Sequence, residues 1–198
     1  MTKIKLCGLS RLEDIEIANE LQPEYVGFVF APESKRYVTP AQAKELRGAL
    51  SKEILAVGVF VNEDYKAVAE LLNAGIIDVA QLHGGETDAY IQLLRALTNK
   101  PIIKAFKHQF IESANYSLGD YVMIDSGGGS GRAFNWNLLK DIRRECFLAG
   151  GLTPKNVGYA IERLQPFAVD VSSGIETDGR KDAAKMREFV QAVRGEVK

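Results

Sequence analysis

The residue most suited to proton transfer is Asp125, because of where the chain places it. Asp125 directly follows an apolar run, Tyr121 to Ile124, and directly precedes the glycine-rich segment 126–131. Glycines leave backbone N–H groups uncovered, so an anion such as a phosphate can approach the main chain there. A carboxyl group beside a phosphate is favoured in its protonated form, which a general acid requires. The same residues also fit an ordinary solvent-exposed turn.

A thiol at the end of the first predicted strand is the second candidate. Cys7 closes a run that alternates charged and apolar residues and stops at Gly8. A thiolate there could take a proton from carbon while the acid form of Asp125 gives one to oxygen. Cys7 also fits a small apolar residue that only ends a strand. Cys146 precedes Phe147 and Leu148 and is interpreted as a packing residue.

Four further polar residues lie in or just after predicted strands and are candidates for holding a substrate. Arg36, in a polar loop, carries a planar guanidinium that suits a carboxylate, and we expect it to lie across the mouth of the fold from the glycine-rich loops. The alternative is a solvated loop charge. Gln81 and His83 end the fourth strand, with His83 in a supporting role, and Asp170 lies in the last strand.

Glycine-rich ends on the last three predicted strands point to a phosphate site. Backbone amides in such loops commonly bind phosphate, and three loops of this kind are poorly explained as turns alone. The predicted phosphate-binding residues are Gly128, Gly129 and Gly131, then Gly150 and Gly151, and finally Ser172, Ser173 and Gly174. The sequence therefore indicates a small phosphorylated substrate.

The elements that must position these residues alternate regularly along the chain. Eight strand-like runs are each followed by a helical pattern, and the runs cover residues 3–7, 25–30, 54–61, 79–82, 101–106, 121–124, 146–149 and 167–171. The helical starts include a capping box from Ser10 to Glu13, a cap at Asn62, a sixth helix over residues 135–144 and a seventh beginning at Thr153.

This alternation predicts an α/β fold with a parallel sheet, and eight units favour closure into a (βα)₈ TIM barrel. An open doubly wound sheet is the competing architecture. With 198 residues, 46% of them hydrophobic, and no linker-like stretch, the chain is expected to form a single compact domain over residues 1–198 with short loops.

The amino-acid composition limits the kinds of molecule that the protein is expected to bind. The 25 basic and 26 acidic residues give a net charge of −1, which argues against nucleic acid or an anionic membrane surface as the main partner. No apolar stretch approaches the roughly 20 residues of a membrane span, and the chain enters its first strand without a signal-peptide pattern. We expect a cytoplasmic protein with two free thiols, no metal and no cofactor.

Taken in order, the motifs resemble the phosphoribosylanthranilate isomerase family of tryptophan biosynthesis along the whole chain. They are Lys5-Leu6-Cys7-Gly8-Leu9, Gly27-Phe28-Val29-Phe30, Ser34-Lys35-Arg36, Val57-Gly58-Val59-Phe60, Gln81-Leu82-His83-Gly84, Asp125 with Gly128-Gly129-Ser130-Gly131, Leu148-Ala149-Gly150-Gly151-Leu152 and Asp170-Val171-Ser172-Ser173-Gly174-Ile175-Glu176. Leu6 departs from the isoleucine more usual in the first motif, an aliphatic exchange outside the catalytic residues.

The resemblance implies an Amadori rearrangement without a cofactor, and we expect the protein to be a monomer or homodimer. It implies that Asp125 protonates the ribose ring oxygen, that Cys7 removes the C2′ proton, that Arg36 holds the anthranilate carboxylate and that Asp170 positions the substrate. Two other functions stay open at this point: a non-catalytic phosphate-binding partner subunit, and an isomerase for a different phosphosugar such as the aminoaldose of the histidine pathway.

Overall fold

The computed structural model describes residues 1–125 and 141–195, and these form a closed barrel of eight parallel strands. The strands are β1 (Lys3–Cys7), β2 (Tyr25–Val29), β3 (Leu55–Phe60), β4 (Val79–Leu82), β5 (Ile102–Lys107), β6 (Tyr121–Asp125), β7 (Cys146–Ala149) and β8 (Ala168–Val171). The predicted barrel is confirmed. The open sheet is excluded because β1 pairs with both β2 and β8, which leaves no edge strand.

Seven α-helices lie among the described residues and cover the outside of the barrel. They are α1 (Leu12–Leu21), α2 (Pro40–Ala49), α3 (Tyr65–Asn73), α4 (Asp88–Arg95), α5 (Ile111–Tyr116), α6 (Val157–Leu164) and α7 (Ala183–Arg194). A short antiparallel hairpin, β9 (Glu176–Thr177) with β10 (Arg180–Lys181), follows β8. Within the described ranges, no helix is both long and apolar enough to traverse a bilayer.

Alternation along each strand divides the core into an outer and an inner layer. The outer layer, between strands and helices, includes Phe28, Phe60 and Phe189. The inner layer fills the barrel and is centred on Phe147, with Val57, Ile103 and Met123 around it. The last inward-facing residue of a strand, such as Cys7 in β1, therefore faces the mouth of the barrel.

Two predicted helix caps are displaced by one or two residues. The first helix is preceded by Arg11, and the carboxylate of Asp14 accepts the backbone N–H groups of Ser10 and Arg11 at 3.0 and 3.1 Å. The predicted pairing of Ser10 with Glu13 is therefore wrong. The third helix is capped by Asp64 and not by Asn62, because the Asn62 side chain accepts a hydrogen bond from Gly85.

Two other helix predictions also need correction. Residues 135–140 of the predicted sixth helix lie outside the described residues, and residues 141–144 are not helical. The predicted helix start at Thr153 is four residues early, since α6 begins at Val157. The Asn156 side chain accepts the Thr153 N–H at 2.7 Å and donates to the Gly151 carbonyl at 2.9 Å, which holds the intervening residues in a turn.

Candidate active site

One cavity of about 220 Å³ opens at the carboxyl ends of the barrel strands and gathers the candidate residues that the structure describes. Residues far apart in the chain converge there because every parallel strand ends at the same face. The sequence-predicted residues that line the cavity are Cys7, Arg36, Gln81, His83, Asp125, Gly150, Gly151, Asp170, Ser172 and Ser173. Gly174 follows directly in the last of these loops.

Cys7 is fixed at the mouth by close packing. It is buried against Val29 and Val59, the last inward-facing residues of β2 and β3. A Cβ atom at Gly27, the partner of Cys7 in the β1–β2 register, would lie only 2.7 Å from the Cys7 Sγ. The absence of a side chain at Gly27 therefore makes room for the thiol.

Behind the thiol lies a buried ion pair between the first and last strands. Lys5 is 0% exposed, and its Nζ donates to Asp170 Oδ1 at 2.7 Å, across paired positions of β1 and β8. Burial alone would lower the pKa of Lys5, but the neighbouring Asp170 carboxylate and Cys7 raise it above its usual value. Lys5 is thus a permanent cation beneath Cys7.

The state of the Cys7 thiol follows from these neighbours. Burial raises the pKa of Cys7 above its usual range, and the positive charges of Lys5 and Lys181 oppose that rise. The thiol is therefore neutral at neutral pH, while two nearby cations are in place to stabilise the thiolate when a proton is transferred.

Asp125, at the end of β6, is held at the cavity by a short relay of hydrogen bonds. His83 Nε2 lies 3.2 Å from Asp125 Oδ2, and Gln81 Nε2 lies 2.8 Å from His83 Nδ1. Since the Gln81 amide nitrogen only donates, Nδ1 is the acceptor and Nε2 carries the proton that points to Asp125. His83 thus orients the carboxyl group, and Gln81 fixes the tautomer of His83.

Arg36 lies beside the loop that ends β8 and not across the mouth from it, so the expected position is wrong for this one glycine-rich loop. Its Nε and Nη2 donate to the two carboxylate oxygens of Glu176 at 2.6 and 2.7 Å. Glu176 follows immediately after the loop that ends β8. Because only β1 separates β2 from β8 in the ring, the loops after these two strands are near neighbours.

The described part of the predicted phosphate site is built from tight glycine turns. Gly150 and Gly151 have φ values of 94° and 67°, which favour glycine. A Cβ atom at Gly174 would lie 1.9 Å from the Leu152 carbonyl oxygen, so the loops after β7 and β8 touch there through backbone alone. The predicted residues Gly128, Gly129 and Gly131 lie outside the described residues.

Sequence reasoning assigned no role to three charged residues of the site. Lys5 alternates with apolar residues in β1, so its position on the same inward row as Cys7 was available from the pattern. Glu176 ends a motif that was noted without a role. Lys181 had no sequence signal, since only the β9–β10 hairpin brings its Nζ to Glu176 and to the Ser172 carbonyl.

A second cavity of about 570 Å³ adjoins the first and shares His83 and Asp125 with it. Phe106 and Phe110 contribute apolar surface to its wall, and Lys104 pairs with Glu86 at 2.9 Å in its lining. Among residues 1–125 and 141–195, no three His, Cys, Asp or Glu side chains are grouped closely enough to hold a metal ion.

Comparison with known proteins links this arrangement to one family. Residues 4–192 match the family model of N-(5'phosphoribosyl)anthranilate (PRA) isomerase. The N-(5'-phosphoribosyl)anthranilate isomerase of Thermoanaerobacter sp. (strain X514) is 45% identical over 202 residues, which cover 98% of this chain and 99% of the relative.

Solved structures agree with the sequence match. The phosphoribosyl anthranilate isomerase of Thermotoga maritima superimposes with a TM-score of 0.89 at 35% identity, covering 98% of this chain and 100% of the other. A phosphoribosyl anthranilate isomerase in complex with reduced 1-(o-carboxyphenylamino)-1-deoxyribulose 5-phosphate superimposes with a TM-score of 0.87 at 33% identity and the same two coverages. The chain that places Cys7, Asp125 and Arg36 around one cavity therefore belongs to the N-(5'-phosphoribosyl)anthranilate isomerase family.

Proposed function

We propose that this protein converts N-(5-phosphoribosyl)anthranilate into 1-(2-carboxyphenylamino)-1-deoxyribulose 5-phosphate, an Amadori rearrangement in tryptophan biosynthesis. Its place in the family supports the reaction. The observation that carries the assignment of roles is that Cys7 and Asp125, a potential base and a potential acid, line one cavity from separate strands. Assembly as a monomer or homodimer, a cytoplasmic location and the lack of a cofactor stay predictions.

The two residues divide the proton transfers between them. The acid form of Asp125 protonates the ribose ring oxygen, and cleavage of the C1′–O bond leaves an iminium ion at C1′. Cys7, after its thiol proton has passed to solvent, acts as thiolate and removes the proton from C2′, and the electrons of that C–H bond neutralise the iminium to give an enolamine. On ketonisation the C2′ hydroxyl loses its proton and C1′ gains one. Proton exchange with solvent then returns Asp125 to its acid form and Cys7 to its basic form. The rearrangement is internally balanced, since C2′ is oxidised while C1′ is reduced.

The charges around Cys7 support its role as base. The ammonium groups of Lys5 and Lys181 favour the thiolate, although burial keeps the resting thiol protonated. The positive charge of the iminium ion that forms on ring opening favours the thiolate further, so more of Cys7 is in the basic form when the C2′ proton is to be removed.

The same charges suit a substrate with a carboxylate and a phosphate. Among the described residues, Lys5 pairs with Asp170 while Arg36 and Lys181 share Glu176, so three cations at the site pair with two carboxylates and one positive charge is in excess. Arg36 binds the anthranilate carboxylate in this proposal. The backbone turns at Gly150, Gly151 and Ser172 to Gly174 bind the ribose phosphate, with Gly128, Gly129 and Gly131 of the preceding loop.

Gln81, His83 and Asp170 complete the substrate contacts that we propose. Gln81 is 1% exposed, yet it lines the cavity, and its Oε1 has no hydrogen-bond partner among the described residues. A buried acceptor of this kind is stabilised when a donor reaches it, and a ribose hydroxyl is such a donor. His83 and Asp170 border the same space.

The alternative functions are less well supported. A non-catalytic partner subunit has no need for an aligned Cys7 and Asp125. An isomerase for the histidine-pathway aminoaldose needs a second phosphate site at the mouth. The glycine pair Gly84-Gly85 does not offer one, because its two amides already donate to Glu86 at 2.9 Å and to Asn62 at 2.7 Å.

The proposed function is tested by incubating the purified protein with N-(5-phosphoribosyl)anthranilate and following the loss of the substrate's fluorescence. We expect multiple turnovers without added metal or cofactor. A protein that leaves this substrate unchanged but rearranges the histidine-pathway aminoaldose supports that alternative, and one inactive on both supports the partner subunit.

The carboxylate contact predicts a specific effect of changing Arg36. Arg36→Met should raise KM and lower kcat/KM at least tenfold, because one charge-assisted hydrogen bond contributes about 1.5–3 kcal/mol. Arg36→Lys should recover only part of the loss, since an ammonium group lacks the planar fork. Steady-state kinetics of the three proteins provide the measurement.

The control for Arg36 is a substrate analogue without the carboxylate. The wild-type protein should process it poorly, and Arg36→Met should process it no worse. A further loss in the variant would mean that Arg36 contacts another part of the substrate.

A further inference from the structure

The Arg36 side chain needs contacts with other residues to stay in one conformation. It lies on the loop between β2 and α2, and its side chain is 28% exposed. A free arginine of this kind loses considerable rotamer entropy when it binds a ligand. Its path is limited on one side by Gly8, where a Cβ atom would lie 2.3 Å from the Arg36 Cδ. The absence of a side chain at Gly8 therefore leaves the space that the Arg36 side chain occupies.

Glu176 fixes the other end of Arg36. Its carboxylate accepts both Nε and Nη2 in a two-point contact, and its side chain is largely buried. Burial would raise the pKa of Glu176, but the hydrogen bonds from Arg36 and Lys181 lower it below its usual value. Glu176 is thus a permanent anion facing Arg36.

Glu176 is itself held by the hairpin after β8. Lys181 is its cross-strand partner in the β9–β10 register, and Lys181 Nζ donates to Glu176 Oε1. The same ammonium group donates to the Ser172 carbonyl oxygen at 3.0 Å. Lys185 Nζ donates to the backbone oxygen of Glu176 at 2.6 Å. One carboxylate therefore joins Arg36 to the loop proposed to bind the phosphate.

The contact leaves a defined part of the guanidinium for a ligand. The Nε and Nη2 edge is occupied by Glu176, and no other described residue takes Nη1. The Nη1–Nη2 edge can still bind a carboxylate through two parallel hydrogen bonds. A planar group held along one edge presents the second edge at a fixed angle.

We propose that Glu176 is a positioning residue, which holds Arg36 so that its Nη1–Nη2 edge receives the substrate carboxylate at a fixed distance from the phosphate loop. This inference rests on the proposed function. It gives a reason for pairing an arginine at the substrate site with a protein carboxylate: the pairing selects for substrates whose carboxylate and phosphate match one fixed spacing.

The test replaces Glu176 with glutamine, which keeps the shape but removes the charge and one acceptor. We expect Glu176→Gln to raise KM for N-(5-phosphoribosyl)anthranilate about tenfold with kcat little changed, the pattern for a lost contact that substrate and transition state share. The carboxylate-free analogue should show no such loss. Combining Glu176→Gln with Arg36→Met should cost no more than Arg36→Met alone.

Glu20→Gln is the matched control, because Glu20 forms an exposed pair with Arg187 far from the cavity. It should leave both kinetic constants unchanged. Glu176→Asp, which keeps the charge on a shorter side chain, gives a second variant if the glutamine protein does not fold. It should show a smaller rise in KM with the same dependence on the substrate carboxylate.

Two results would overturn the positioning role. One is an equal loss on the substrate and on the analogue, which indicates a general structural effect. The other is a lower KM in Glu176→Gln, which indicates that Glu176 competes with the substrate for Arg36. An inactive wild-type protein would instead overturn the proposed function, and this inference with it.

Discussion

Cys7→Ala should lower kcat by roughly 10²–10⁴-fold, the usual contribution of a positioned acid or base. The variant retains Asp125 and the binding groups, so KM should change little and ring opening should still occur. What is lost is removal of the C2′ proton. The substitution removes one sulfur atom at the edge of the cavity, so the thermal midpoint should shift little. Turnover is measured by substrate fluorescence and the midpoint by circular dichroism.

Cys146→Ala is the control for this prediction. Cys146 is also a buried thiol, but it begins β7 at the other end of the barrel, and burial raises its pKa to about 12. Its loss should reduce stability slightly and leave kcat intact. Near-normal turnover by Cys7→Ala would rule out Cys7 as the base.

Asp125→Asn should cause a loss of similar size by blocking an earlier step. Asparagine has nearly the same shape and retains an oxygen that can face His83 Nε2, 3.2 Å away in the native pair. It has no carboxylic proton to give to the ribose ring oxygen. We therefore expect kcat to fall roughly 10²–10⁴-fold while binding of a product analogue persists. Steady-state kinetics and calorimetric titration measure the two effects separately.

Asp120→Asn is the matched control for Asp125. Asp120 immediately precedes β6, at the far end of the strand that carries Asp125, and accepts the Ile102 N–H at 2.8 Å. Its substitution should leave kcat within about twofold of wild type, as expected for a residue outside the site. If Asp125→Asn retains comparable activity, another group must protonate the ring oxygen.

The sequence was sufficient to predict the barrel because its signals are local and repeated. Eight apolar, strand-like runs alternate with amphipathic helical patterns. Once the range of a strand is predicted, the alternation of its side chains identifies the last residue that points into the barrel. Cys7, His83 and Asp125 could thus be assigned to one mouth. Helix caps were less predictable, since Arg11 and Asp64 take the cap positions expected for Ser10 and Asn62 through geometry that only the folded loops define.

The paired charges of the site were beyond prediction for a different reason. Arg36 and Glu176 are 140 residues apart, and no periodicity links them. Their contact depends on β1 lying between β2 and β8, which requires the ring to close. The inward position of Lys5 follows from the alternation in β1, but its pairing with Asp170, 165 residues away, does not.

That ion pair also has a consequence for the order of folding. Lys5 and Asp170 are separated by 165 residues, so the lysine is synthesised long before its partner. A cation resists burial without a counter-charge, and the interior beneath Cys7 therefore cannot be completed until β8 docks beside β1. A nascent chain that lacks β8 retains a hydrated Lys5 in an unfinished barrel. Docking of the last strand is then the step that completes the surroundings of Cys7.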